Sequence, residues 1–64
     1  MGKAKSAYES AYWIGLHWEE DKVIDRIEML CARAERARAG GEHQKAILNM
    51  IEGYEKGLQE QLGG

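Results

Sequence analysis

The stretch ARAERARAGGEHQKAIL, residues 32–48, holds the strongest interruption in the chain. It opens in Ala, Arg and Glu, which are good helix formers, and passes through Gly40-Gly41 into a second helix-favouring run. With no proline in the chain and no alternating strand pattern, this glycine pair divides the sequence into a long N-terminal and a shorter C-terminal helical segment. Glycine supplies the positive φ that ends helices, so the pair predicts a helix end near Ala39, a turn at residues 40–41 and a restart near Glu42.

Working outward at 100° per residue, Val23, Ile24, Ile27, Leu30, Cys31 and Ala34 fall on one arc about 120° wide, the predicted buried face of the first segment. After the break, Ile47, Met50, Ile51, Tyr54, Leu58 and Leu62 form a stripe, with Leu48 at its edge. Glu52, Glu55, Lys56 and Glu60 cover most of the remainder, and Glu52–Lys56 has favourable i,i+4 spacing. Two such stripes across a glycine turn predict an antiparallel helical hairpin. The expected fold is therefore all-α, with residues 1–64 as one helical domain: a helix over about 6–39, a turn at 40–41 and a helix over about 42–62. Its architecture is similar to that of the Rop-type hairpin, which dimerises into a four-helix bundle, but the likeness supplies no functional residue.

The arms are unequal. A helix from Ser6, whose spacing to Glu9 suits a capping box, to Ala39 would run about 50 Å, against about 30 Å for Glu42 to Leu62. The excess carries Tyr8, Tyr12, Trp13, Ile14, Leu16 and Trp18, too large an apolar set to leave in water. Either the chain breaks near residues 15–18 into a short third helix over the hairpin, or the extension packs on another chain. On one continuous helix, Ala7, Ala11, Ile14 and Trp18 lie off the arc of Tyr12, Trp13 and Leu16; a break near Gly15 would reset the phase. The spacing of Gly53 and Gly57 is weak evidence for close packing in a helix this polar, and reads more simply as surface drift.

Composition narrows the class. At 44% apolar and 31% charged, the chain is in the globular range, but many apolar positions are alanines and the bulky set is thin. A domain of this size leaves a marginal core, so a homo-oligomer or another protein partner is expected. A net charge of −2 selects neither a nucleic-acid binder nor an acidic mimic. No apolar run approaches the ~20 residues that span a bilayer. Lys3 and Lys5 precede no signal-peptide core, and the single Cys31 suits a reducing compartment. The expectation is a cytoplasmic protein with no membrane contact.

Chemistry-bearing clusters are sparse. His17, Cys31 and His43 lack zinc-ligand spacing, although His17 and Glu20 could share an ion. Cys31 sits beside Leu30 and Ala32 without a placeable base, Glu19-Glu20-Asp21 reads as a solvated helix start, and no phosphate loop occurs. So short a hairpin is expected to hold no enzyme-sized cavity. No enzyme, metal or cofactor is predicted. Two surfaces remain: the aromatic segment Tyr8, Tyr12, Trp13, Ile14 and Trp18, and a basic stripe of Lys22, Arg26, Arg33 and Arg36 within about 80°. The stripe suits phosphates or an acidic partner, tempered by Glu19, Asp25 and Glu35, with Glu19–Lys22 and Lys22–Asp25 able to pair.

The first expectation is a small regulatory or adaptor protein that binds another protein through the aromatic segment. Its size fits the small proteins with which phages and mobile elements inhibit host machines. A dimeric hairpin that binds nucleic acid through the basic stripe is the alternative, and a structural subunit or assembly factor of a larger complex is the third.

Overall fold

The computed structural model describes residues 6–63. Three helices follow in order: α1 (Ala7–His17), α2 (Glu20–Arg36) and α3 (Glu42–Leu62). The long arm does break, into a third helix that packs on the hairpin of α2 and α3. Ser6 caps α1, its Oγ accepting the Glu9 N–H at 3.1 Å.

The break is not at Gly15, which stays helical and buried. Trp18 and Glu19 are extended, Trp18 closing α1 and Glu19 opening α2. The Trp18 N–H still donates to the Ile14 carbonyl at 2.9 Å, so α1 ends with a complete last turn. The carbonyls freed at this end find a side chain instead: Gln61 Nε2 on α3 donates to the Gly15 oxygen at 2.8 Å and to the Trp18 oxygen at 2.7 Å. One amide thus satisfies two of the acceptors that every helix C-terminus leaves open.

The other end differs from the sequence expectation too. Helix α2 stops at Arg36 and not Ala39, with Ala37 extended and Gly40 at φ 74° three residues further on. The last three residues expected of this helix, Ala37, Arg38 and Ala39, thus belong to the connection. Gln44 ties this loop down: its Oε1 accepts the Gly40 N–H and its Nε2 donates to the Ala34 carbonyl, both at 2.9 Å.

The core lies where α3 meets both other helices. Val23, Leu30 and Ala34 of α2 and Ile47, Ile51 and Tyr54 of α3 are buried with Ala11 of α1, and Ile14, Ile27, Met50 and Leu58 pack around them. Full burial of each large aliphatic contributes about 1.5–3 kcal/mol. The predicted faces are narrower than the sequence suggested: Ile24 and Cys31 of α2 and Leu48 and Leu62 of α3 are exposed. Only the centre of each stripe is covered, because α3 is flanked and not enclosed.

Helix α1 packs by another rule. It runs in the same direction as α3, and the two backbones touch. A Cβ placed on Gly53 would lie 2.5 Å from the Tyr8 carbonyl oxygen, and one on Gly57 would strike the Tyr12 carbonyl oxygen. From the other side, a Cβ on Gly15 would collide with the Tyr54 carbonyl oxygen. The Gly53/Gly57 spacing is therefore the seat of α1, not surface drift; only glycine lets the chains approach this closely.

Candidate binding surface

Packing sorts the aromatic segment into two groups. Tyr8 and Tyr12 are half-buried towards α3, and the Tyr12 hydroxyl donates to Glu60 Oε1 at 2.5 Å. That hydrogen bond, with some desolvation and the nearby negative charge, raises the Tyr12 pKa above 10.0. Ile14 packs against the core. Trp13 and Trp18 stay exposed, Trp13 within α1 and Trp18 in the extended residue that closes it. The Trp13 ring stacks on His17 with centroids 5.6 Å apart and meets Tyr12 edge-on at 5.4 Å.

Trp18 joins the basic stripe instead. The break at Trp18–Glu19 sets the indole at the head of α2, and the Arg26 guanidinium lies 5.2 Å from its ring centroid. A cation over an indole face contributes about 0.5–1 kcal/mol at exposed sites and fixes both side chains in one place. Beyond this pair, Lys22, Met29, Arg33 and Arg36 continue along the same side of α2, with Trp18 at 39% exposure and Met29 at 43%. Lys22, Asp25, Arg26 and Met29 border a shallow recess of about 310 Å³. Among the described residues, neither Lys22–Glu19 nor Lys22–Asp25 forms an ion pair, and Glu52–Lys56 does not either.

No family model, curated protein or solved structure matches this chain. Its surfaces must therefore speak for themselves.

A larger concavity, about 630 Å³ and open to solvent, runs from Tyr8 across Glu52, Glu55 and Gln59 to Leu62. Packing α1 along α3 creates this groove, which a simple hairpin lacks. It is an open trough and not an enclosed pocket. Among the described residues no three His, Cys, Asp or Glu side chains gather to hold a metal ion, and no helix is long and apolar enough to cross a membrane. Cys31 is exposed on α2.

Two groups of importance gave little sign in the sequence. Gln44 and Gln61 hold the helix ends through their amides, and an uncharged polar residue carries no periodic signal. Met29 lies outside the apolar arc of α2, and only its alignment with Trp18 and the cations gives it meaning.

Proposed function

We propose that this protein is a non-enzymatic adaptor that binds an acidic protein surface through the strip Trp18–Lys22–Arg26–Met29–Arg33. The observation that carries this reading is the pairing of half-buried Arg26 with the exposed Trp18 indole, in line with Met29 and further cations. Trp, Arg and Met are enriched in protein interfaces, and Trp and Arg lead the residues that dominate binding energy. Trp18 and Met29 supply an apolar centre, while Lys22, Arg33 and Arg36 supply a charged border that steers an acidic partner.

Nucleic acid is the second reading, favoured by the four cations on one side of α2. The apolar pair within the strip and the net charge of −2 weigh against it. The test captures partners from cell extract on the wild type and on Trp18→Ala, then measures affinity for the captured protein. Trp18→Ala should lose at least ~30-fold in affinity, the scale of an interface hot spot. Full affinity in a folded Trp18→Ala variant refutes the reading. Binding of the wild type to duplex DNA or RNA at ~50 mM salt, with a salt slope that falls by nearly 3 units on charge reversal at Arg26, Arg33 and Arg36, would replace it with the second.

A further inference from the structure

Helix α2 carries two exposed faces of opposite charge. The first is the basic strip described above. Which side the second occupies follows from two contacts. Arg26 over Trp18 marks the side of α2 nearer α1, and Gly53 and Gly57 mark α1's side of α3. Ile24 and Cys31 lie about 140–160° round α2 from Arg26, and Leu48 and Leu62 about 140–180° round α3 from the two glycines. Both sets therefore face away from α1. The Gln44–Ala34 hydrogen bond fixes the level of the antiparallel pair, placing Cys31 beside Leu48 and Ile24 beside the turn of Glu55.

This second face has an apolar centre with Ile24 at 40% and Leu48 at 49% exposure. Its charges are acidic. Glu20, Glu28 and Glu35 lie within about 60° of the Ile24–Cys31 line, and Glu52 and Glu55 within about 40° of Leu48. Every cation of α2 is on the opposite side. The nearest basic residues on α3, Lys45 and Lys56, stand about 60–80° beyond Leu48.

The geometry points to head-to-tail self-association, in which a second copy of this chain lays its Trp18–Arg26–Met29 strip on the Ile24–Leu48 face of the first. The two faces match in length, about 21 Å from Lys22 to Arg36 and about 22 Å from Glu20 to Glu35. They are complementary in net sign as well: four cations against one acid, Asp25, along the strip, and five glutamates with Lys45 at the margin along the other face. A symmetric dimer would instead set one acidic face against another, or strip against strip, and like charges across an interface are disfavoured. An interface between two different patches does not close on itself after one step; with the patches nearly opposite on one helix, copies stack into an open array. This inference rests on the strip being a docking surface for acidic partners and makes the chain its own first partner.

Sedimentation of the purified protein tests it. The wild type should sediment faster as concentration rises to ~200 μM, without a plateau at the dimer. In ~500 mM salt, where the Debye length falls to about 4 Å, most of that association should disappear. R26E/R33E reverses the strip and E28K/E35K the opposite face, so each alone should remain monomeric, with circular dichroism confirming the fold. Mixed one to one, they should associate again, since each retains the face that the other has lost and the two reversed faces are themselves complementary. A wild type that stays monomeric at ~200 μM in low salt, or that stops at a closed dimer, overturns the inference. So does a mixture of the variants that fails to reassociate. If self-association is absent while Trp18→Ala still loses a captured acidic protein, the array is wrong and the adaptor reading stands. If self-association is present but Trp18→Ala leaves it intact, the strip is not the contact between copies and the array falls, while the adaptor reading is decided by affinity for the captured protein alone.

Discussion

At the scale of single residues, the most informative side chains join elements without adding apolar area. Tyr12 donates its phenol proton to Glu60, 48 residues away, and so links α1 to the last turns of α3. Its pKa is raised first by that bond, then by desolvation and by the charge of Glu60 and Tyr8. A raised pKa means that the folded state holds the proton more tightly than the unfolded chain does. The contribution is therefore complete below the unfolded value near 10 and is lost as pH rises through the folded one. Melting temperature measured from neutral pH to about pH 11 should fall at the alkaline end in the wild type and less steeply in Tyr12→Phe, which has no proton to lose. Identical slopes in the two proteins would show that the bond does not couple to folding. Trp18 is the opposite kind of residue: exposed, joined to the fold through its backbone, and carrying its indole outward.

At the scale of elements, the seat of α1 on α3 is the feature most open to attack. In an unconstrained helix, Gly57→Ala would stabilise by about 1 kcal/mol through helix propensity. Here the added methyl meets the Tyr12 carbonyl and the backbone of Gly15 and Leu16, none of which can move aside by a rotamer change. Overpacking of this kind costs about 1–3 kcal/mol or more, so the expected sign is destabilising, and Gly53→Ala should behave alike. Urea denaturation of the two variants checks it, and a stabilised Gly57→Ala would mean that the helices are not in backbone contact. The same contact explains what could be read in advance. The α2–α3 hairpin was legible because Val23, Leu30, Ile47 and Ile51 repeat at helical spacing around a glycine break. The docking of α1 was legible only as one of two alternatives, since its seat is a signal of missing side chains, and a reading weighted by hydrophobicity gives Gly15, Gly53 and Gly57 no weight. For the same reason the spacing left two places open for Tyr8 and Tyr12, a third helix over the hairpin or a contact with another chain, and the glycine seat is what turns them towards α3. The basic stripe was readable from spacing alone, whereas the pairing of Arg26 with Trp18 needed the break at Trp18–Glu19.

At the scale of the whole molecule, α3 is the central member. It packs with α1 on one side and α2 on another, while α1 and α2 scarcely meet beyond the Trp18–Arg26 corner. A flat molecule of 34 × 33 × 16 Å results, in which no helix is enclosed. Local openings should then follow a hierarchy, because the free energy of opening a segment tracks the packing lost with it. The end of α2 at Arg33–Arg36 is exposed apart from Ala34 and is held to α3 there by Gln44. The segment Ile51–Leu58 of α3, in contrast, has buried Gly53 and Gly57 against the backbone of α1 and buried Ile51 and Tyr54 in the core. Amide hydrogen exchange should be slowest in this segment, slower by about tenfold or more than at the end of α2, since 1.4 kcal/mol of extra opening cost is one decade. Gly57→Ala should erase much of the difference by loosening α1 without touching α2. Exchange that is slowest in α2, or unchanged in α3 when Gly57 is replaced, would show that the hairpin is the stable unit and α1 only an appendage. In that event the Trp18–Arg26 corner would lose its fixed geometry, and the strip would depend on its partner to assemble it.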